Sequence, residues 1–283
     1  MYAVTGASGQ LGRLVIETLL TQIEPGQIVA LVRDPTKVAE FANKGVVVRA
    51  FDYNDGATLA SALEGVDRLL LISSNEVGQR EAQHRAVIDA ARAAGVGFIA
   101  YTSILDADRS PLGLAIEHRA TEAAIVESRL PYAFLRNGWY TENYTMNAVG
   151  EVAHGAVIGS TADGKISAAG RSDYAAAAAA VLVSRQETNQ IYELAGDESF
   201  TLADYAATLS KVSGKAVSYV YMAETEYRAA LEGIGLPEPL AAMLAESSAT
   251  AAGGALFEQG RTLSTLIGRP TLSLEAAVIA VLR

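Results

Sequence analysis

The chain opens on Tyr2-Ala-Val-Thr5, then Gly6-Ala-Ser-Gly9-Gln-Leu-Gly12, then an apolar-faced segment, and the reading of these residues decides the fold. A short strand runs into a glycine-rich turn that opens a helix, which is the arrangement that makes a pyrophosphate cradle. Leu11, Leu14, Val15 and Leu19 share one face of a 3.6-residue period, so the helix is predicted from its own pattern. Gly6 suits the tight turn, Gly9 the approach of backbone to phosphate, and Gly12 the close packing of helix on strand. Glycines this dense also suit a merely flexible turn. The strand before them and the helix after them select dinucleotide binding.

Which dinucleotide depends on the next strand. Ile28-Val-Ala-Leu-Val32 is a continuous apolar run, as expected of a strand buried on both faces of a parallel sheet. Arg33 follows it, about 20 positions past Gly12, where the residue that reads the adenosine ribose belongs. An acidic residue there accepts hydrogen bonds from a ribose 2′-OH. An arginine offers a planar cationic fork to a 2′-phosphate and can stack on adenine. Asp34 is the competing acceptor, but in Arg33-Asp-Pro35 it reads as the start of a turn. Lys37 is either a second positive charge or a solvated helix residue. The expected cofactor is NADPH (NADP).

Strand and helix patterns alternate through the first half. The strands are read at 46–51, 68–72, 98–104 and 132–135, the helices at 35–44, 58–64, 79–94 and 116–128. Beyond about 145 glycine and alanine become dense. The run Ala175 to Ala180 predicts a helix with small side chains for close packing on a sheet. Gln190 to Ala195 is a strand candidate, and 202–213, 224–233, 238–248, 261–267 and 273–282 read as helices. The expected fold class is α/β: a Rossmann-like doubly wound parallel sheet with a smaller, mainly helical C-terminal lobe. Residues 1–145 form the dinucleotide-binding domain. Residues 146–283 complete the sheet and supply a lobe that covers the substrate, the whole being one integrated unit.

Composition excludes several classes. The chain has 283 residues, 50% hydrophobic and 19% charged, which favours a large core over disorder. It contains no cysteine, so disulfides, thiolate metal sites and thiol nucleophiles are ruled out. A formal charge of −10 leaves no basic stripe for nucleic acid. No apolar run reaches the ~20 residues of a membrane span, and a strand starting at residue 2 leaves no room for a leader. A cytoplasmic location is expected, with neither nucleic acid nor membrane as partner. His84, His118 and His154 lack metal-ligand spacing, so no metal is expected. His118 and Glu122, at i and i+4, are either a proton relay or, more ordinarily, a surface pair.

In open α/β sheets, ligands bind outside the carboxyl ends of the strands. That rule selects Ser73-Ser74-Asn75, Thr102-Ser103 and Asn137 to Tyr140. An amide, a glycine, the only tryptophan and a tyrosine at 137–140 suit a flat heteroaromatic ring, although Trp139 and Tyr140 also suit a core. Arg171 either reaches a cofactor phosphate or pairs with Asp173. The Tyr-x-x-x-Lys dyad of carbonyl-reducing dehydrogenases is absent, since 105–131 holds neither residue type. A simple ketone needs a positioned acid, because its localised alkoxide is too basic to form unassisted. An acceptor whose reduced anion is delocalised, such as a quinone, needs much less.

Taken together, these residues resemble the NmrA-like branch of atypical short-chain dehydrogenases, and within it the flavin-independent NAD(P)H:quinone oxidoreductases. The resemblance rests on Val4 to Gly12, Leu70 to Ser74, Glu76-Val-Gly-Gln-Arg80, Phe98 to Ser103, Ser110 to Leu114, Leu135-Arg-Asn-Gly-Trp-Tyr140, Glu193 to Asp197 and Leu266 to Pro270. It implies a monomeric or homodimeric enzyme that passes two electrons from NADPH to a quinone by direct hydride transfer. It also implies cofactor contacts at Gly6, Ala7, Ser8, Gly9, Gln10, Leu11, Arg33, Ser73, Ser74, Asn75, Asn137, Gly138, Trp139, Tyr140, Thr141, Glu142 and Arg171. Tyr140 and Asn143 are the candidates for catalysis, by hydrogen-bonding the developing hydroquinone oxygen. Two alternatives remain open: a redox sensor that binds NADP(H) without turnover, and a reductase of another conjugated acceptor such as a triphenylmethane dye.

Overall fold

The computed structural model describes residues 1–184 and 189–283. In chain order its elements begin β1 (Tyr2–Val4), α1 (Gln10–Leu19), β2 (Ile28–Val32), α2 (Ala39–Asn43), β3 (Val47–Ala50) and α3 (Gly56–Ala62). They continue β4 (Arg68–Leu71), α4 (Arg80–Ala93), β5 (Phe98–Ile104), α5 (Ala115–Ser128), β6 (Tyr132–Asn137), α6 (Glu142–Thr145) and α7 (Ala148–His154). Then come β7 (Ala156–Gly159), α8 (Arg171–Val183), β8 (Gln190–Leu194), α9 (Leu202–Ser213) and β9 (Ser218–Tyr221). Four helices close the chain: α10 (Glu224–Gly233), α11 (Glu238–Ala251), α12 (Thr262–Ile267) and α13 (Leu274–Leu282).

Two compact units emerge, and the chain passes between them several times. The first comprises residues 1–108, 116–137 and 171–193; the second comprises 109–115, 138–170 and 194–283.

The first unit is built on a sheet of order β3-β2-β1-β4-β5-β6-β8, in which the ladders joining β1 to β6 are all parallel. The expected doubly wound parallel sheet is therefore present. Each residue of β2 and of β5 is buried, as interior parallel strands require. One face carries a core of Val29, Leu31, Leu69, Leu71, Ile99 and Tyr101 against Val87, Ile88 and Ile125 of the helices. On α8, Ala175, Ala177, Ala178 and Ala179 are buried, and this helix packs on α1. Small side chains are what permit that approach. Strand order reverses at β1, whose neighbours are β2 and β4, and a crevice opens beyond the carboxyl ends of strands at such a point.

The second unit contains a separate parallel pair, β7 with β9, together with α9 to α13. Helix α9 begins with a capping box in which Thr201 and Asp204 satisfy each other's backbone N–H groups. The pair β7–β9 went unread in the sequence, although Val217-Ser-Tyr-Val-Tyr221 alternates as an edge strand would. The single helix expected over 35–44 is in fact a 3-10 turn, Pro35–Val38, followed by the short α2. Asp34 causes the turn, accepting the backbone N–H of Thr36 at 3.0 Å and its hydroxyl at 2.6 Å.

Candidate cofactor and substrate site

The glycine turn leaves β1 with Gly6 in the left-handed region at φ 58°, and the Gly9 N–H donates to the Gly6 carbonyl at 2.9 Å. A Cβ on Gly12 would lie 2.4 Å from the Gly6 carbonyl oxygen and 2.8 Å from the Ala7 Cα. Only glycine lets α1 come this close, and the closeness aims its N-terminal amides at the mouth of the turn. That geometry fits a pyrophosphate.

Neighbouring polar side chains hold the turn's surroundings. The Tyr53 hydroxyl lies 2.6 Å from the Thr5 hydroxyl and 2.9 Å from the Ile72 carbonyl, while the Ile72 N–H donates to Thr5 Oγ1 at 2.9 Å. The ends of β1 and β4 are thus tied across the switch point. Beyond β4, the Ser73–Asn75 segment is fixed along its backbone. The Ser73 N–H donates to Thr102 Oγ1 at 2.9 Å, the Ser74 N–H to His84 Nε2 at 3.0 Å, and Arg80 Nε donates to the Ser74 carbonyl at 2.6 Å.

Because His84 Nε2 accepts, its ring is neutral and Nδ1–H faces Thr121 Oγ1 at 2.9 Å. Burial, then the positive charge of Arg80, pushes the His84 pKa down to about 3. His118 pairs through Nδ1 with the Tyr101 hydroxyl at 2.8 Å and lies 3.4 Å from Arg80. Burial, then the charge of Arg80, lowers its pKa to about 3 as well.

The surface-pair reading of His118 and Glu122 is corrected by these contacts. Both are buried, and each is turned to other partners. Glu122 accepts the Arg136 guanidinium through both oxygens, at 3.0 and 2.7 Å, and the Ser103 hydroxyl at 2.6 Å. Arg136 also meets Glu193 at 2.9 Å, and it meets Asp108. With Asp106, these two form a group of three carboxylates, and the arginine faces two of them.

The predicted cofactor residues fall into two sets. Within the first unit, Gly6 to Leu11 follow β1, Arg33 follows β2, Ser73 to Asn75 follow β4, and Asn137 ends β6, all at carboxyl ends of one sheet. Arg171 is the first residue of α8. Asn137 is 6% exposed, and its side-chain oxygen has no hydrogen-bond partner. A buried, unpartnered amide oxygen at the carboxyl end of β6 is an acceptor that a carboxamide N–H would satisfy.

Gly138 to Asn143 belong to the second unit. Trp139 and Thr141 bracket a parallel bridge of Tyr140 with Ala169: the Ala169 N–H donates to the Trp139 carbonyl at 3.1 Å and the Thr141 N–H to the Ala169 carbonyl at 2.9 Å. Trp139 and Tyr140 are half-buried, intermediate between core and surface residues.

The family model described as NAD(P)H-binding matches residues 6–184. The chain belongs to the NAD(P)H-binding family. Within this family of NmrA-like reductases it is 54% identical to quinone oxidoreductase 2 of Escherichia coli (strain K12), over 98% of this chain and 97% of that one. The crystal structure of an NADPH-dependent quinone oxidoreductase from Escherichia coli, complexed with NADPH, superposes with a TM-score of 0.98 at 53% identity and full coverage of both chains. A triphenylmethane reductase of Citrobacter sp. complexed with NADP(H) gives a TM-score of 0.95 at 37% identity, covering 98% of this chain and 99% of that one. The expected Rossmann-type family is therefore the right one.

Residues that sequence reasoning missed are those that brace the site: Thr5, Tyr53, His84, Arg80 and Glu76. Thr5 lies in the string Val4 to Gly12, and Glu76 and Arg80 in the string Glu76 to Arg80, each part of the family likeness with no bracing role attached.

Proposed function

We propose that this protein is a flavin-independent NAD(P)H:quinone oxidoreductase that reduces a quinone to its hydroquinone with two electrons from NADPH. The observation that carries this reading is the full-length match to the NADPH-bound Escherichia coli quinone oxidoreductase, TM-score 0.98, on a chain that keeps the glycine cradle and Arg33. Bound NADPH supplies the hydride.

The backbone amides of Gly6 to Leu11 hold the pyrophosphate, supported by the packing of Gly12. Arg33 pairs with the 2′-phosphate, and Arg171 assists at a phosphate. Ser73 to Asn75, braced by Thr102, His84 and Arg80, line the dinucleotide. The Asn137 amide oxygen accepts the carboxamide N–H, which fixes the ring face that is presented. The faces of Trp139 and Tyr140 shape an apolar slot for the flat rings, while Gly138, Thr141 and Glu142 line the cofactor beside them. Tyr140 or Asn143 hydrogen-bonds the developing hydroquinone oxygen. Most of the rate comes from proximity and orientation, because the delocalised product anion needs little acid assistance.

In this reading residues 1–145 carry the dinucleotide, and 146–283 complete the sheet and cover the acceptor. The protein works in the cytoplasm as a monomer or homodimer. No helix of the described residues is long and apolar enough to cross a membrane.

Mixing protein, NADPH and 1,4-benzoquinone and following the nicotinamide absorbance tests the activity. Loss of absorbance that depends on protein supports it. Cofactor binding without turnover would favour a redox sensor instead. Unchanged turnover in Tyr140→Phe removes that hydroxyl from the mechanism. The likeness to the triphenylmethane reductase makes a cationic dye the second acceptor to try, in the same assay.

A further inference from the structure

Arg33 does not wait alone for its phosphate. Its Nη1 donates to Glu76 Oε1 at 3.2 Å. Of the two partners, the carboxylate is the better anchored, its side chain being 32% exposed against 66% for the arginine. The Glu76 N–H donates to Ser74 Oγ at 3.1 Å, and Glu76 Oε2 accepts from Gln83 Nε2 at 2.7 Å. Gln83 is 3% exposed on α4, and the same amide nitrogen reaches Asn54 Oδ1 at 3.3 Å. A buried amide thus holds a carboxylate against the guanidinium expected to read the cofactor.

We infer that Glu76 is a cofactor-specificity residue, which competes with the 2′-phosphate of NADPH for Arg33 and so keeps NADH usable. The inference rests on the reading of Arg33 given above. With NADH in place, Arg33 keeps its carboxylate partner and no charge is left uncompensated. A 2′-phosphate, nearly doubly charged, must share the guanidinium and sit close to a fixed negative charge. The repulsion acts on NADPH alone. It outweighs whatever orientation the pair gives Arg33, because the phosphate brings nearly two negative charges against a carboxylate that Gln83 holds in place. Being solvent-facing, the repulsion is also screened by salt.

Glu76→Gln tests this, because it keeps the shape and an acceptor for Gln83 while removing the charge. Dissociation constants for NADP⁺ and NAD⁺ are read by calorimetry at low salt, alongside kcat/KM for NADPH and NADH with 1,4-benzoquinone. The expected result is NADP⁺ binding tightened about 3- to 10-fold with NAD⁺ within about twofold, the gain fading near 0.5 M NaCl. Weaker or unchanged NADP⁺ binding, or an equal shift for both cofactors, overturns the inference. Arg33→Ala, measured the same way, separates the two readings. If it abolishes the preference for NADP⁺ while Glu76→Gln does not raise it, only the role of Glu76 falls. If it leaves the preference untouched, the reading of Arg33 falls and takes this inference with it. Should Glu76→Gln fail to fold, Glu76→Ala with the same salt series distinguishes the same outcomes.

Discussion

Gly12→Ala isolates the contact on which the cradle depends. The added methyl would stand 2.4 Å from the Gly6 carbonyl oxygen, 2.8 Å from Ala7 Cα and 2.9 Å from the Gly6 carbonyl carbon. All three are backbone atoms, so no side chain can swing aside. Ordinary contact begins near 3.4 Å, so α1 and the turn must separate by about 1 Å. Overpacking on this scale costs about 1–3 kcal/mol, which lowers Tm by roughly 2–12 °C in a chain of this size.

The same movement carries the Gly9 to Leu11 amides off the pyrophosphate. An error of that size in positioning costs on the order of 100-fold in kcat/KM. Gly9→Ala is the control, since its methyl meets only the Gly6 carbonyl oxygen, at 3.2 Å. It should melt within about 2 °C of the parent yet lose NADPH affinity, because its methyl occupies the phosphate's approach. Thermal melts with and without NADPH, titration of NADPH fluorescence, and kcat/KM for NADPH with 1,4-benzoquinone read these effects. A Gly12→Ala protein that melts within about 1 °C of the parent and binds NADPH within twofold would refute the reasoning.

Three further outcomes follow from buried charge. Arg136→Met should destabilise by about 3–5 kcal/mol in urea titrations, because it strands the buried Glu122, and adding Glu122→Gln should recover part of the loss. The folded His118 stays neutral down to about pH 3, whereas an unfolded histidine takes a proton below about 6.5. Its contribution is therefore complete above pH 6.5 and is lost as pH falls, and His118→Gln should flatten the acid limb of stability against pH. Glu151 has the opposite sign. Burial raises its pKa from 4.5 to about 7, with the Tyr205 hydroxyl, 2.7 Å away, offsetting part of the rise. The folded chain keeps a proton there that the unfolded chain has released, so stability falls as pH rises through that window. Glu151→Gln should remove this slope in urea midpoints taken from pH 5 to 8.

The sequence by itself determined the alternation of strands and helices, the glycine cradle, the position of Arg33 at the end of β2 and the segments at the carboxyl ends of the strands. Each is a local signal, carried by a period of two or 3.6 residues, a turn chemistry or a fixed offset along the chain. Only the tertiary structure decided what braces those segments. Glu122 meets Arg136 rather than solvent, and His84 holds the amide of Ser74. Tyr53 locks β1 to β4, and Glu76 stands against Arg33. The partners in each pair come from different elements, and no spacing along the chain encodes the meeting of two elements across a sheet. The same reason hid β9, whose exposed alternation acquires meaning only beside β7.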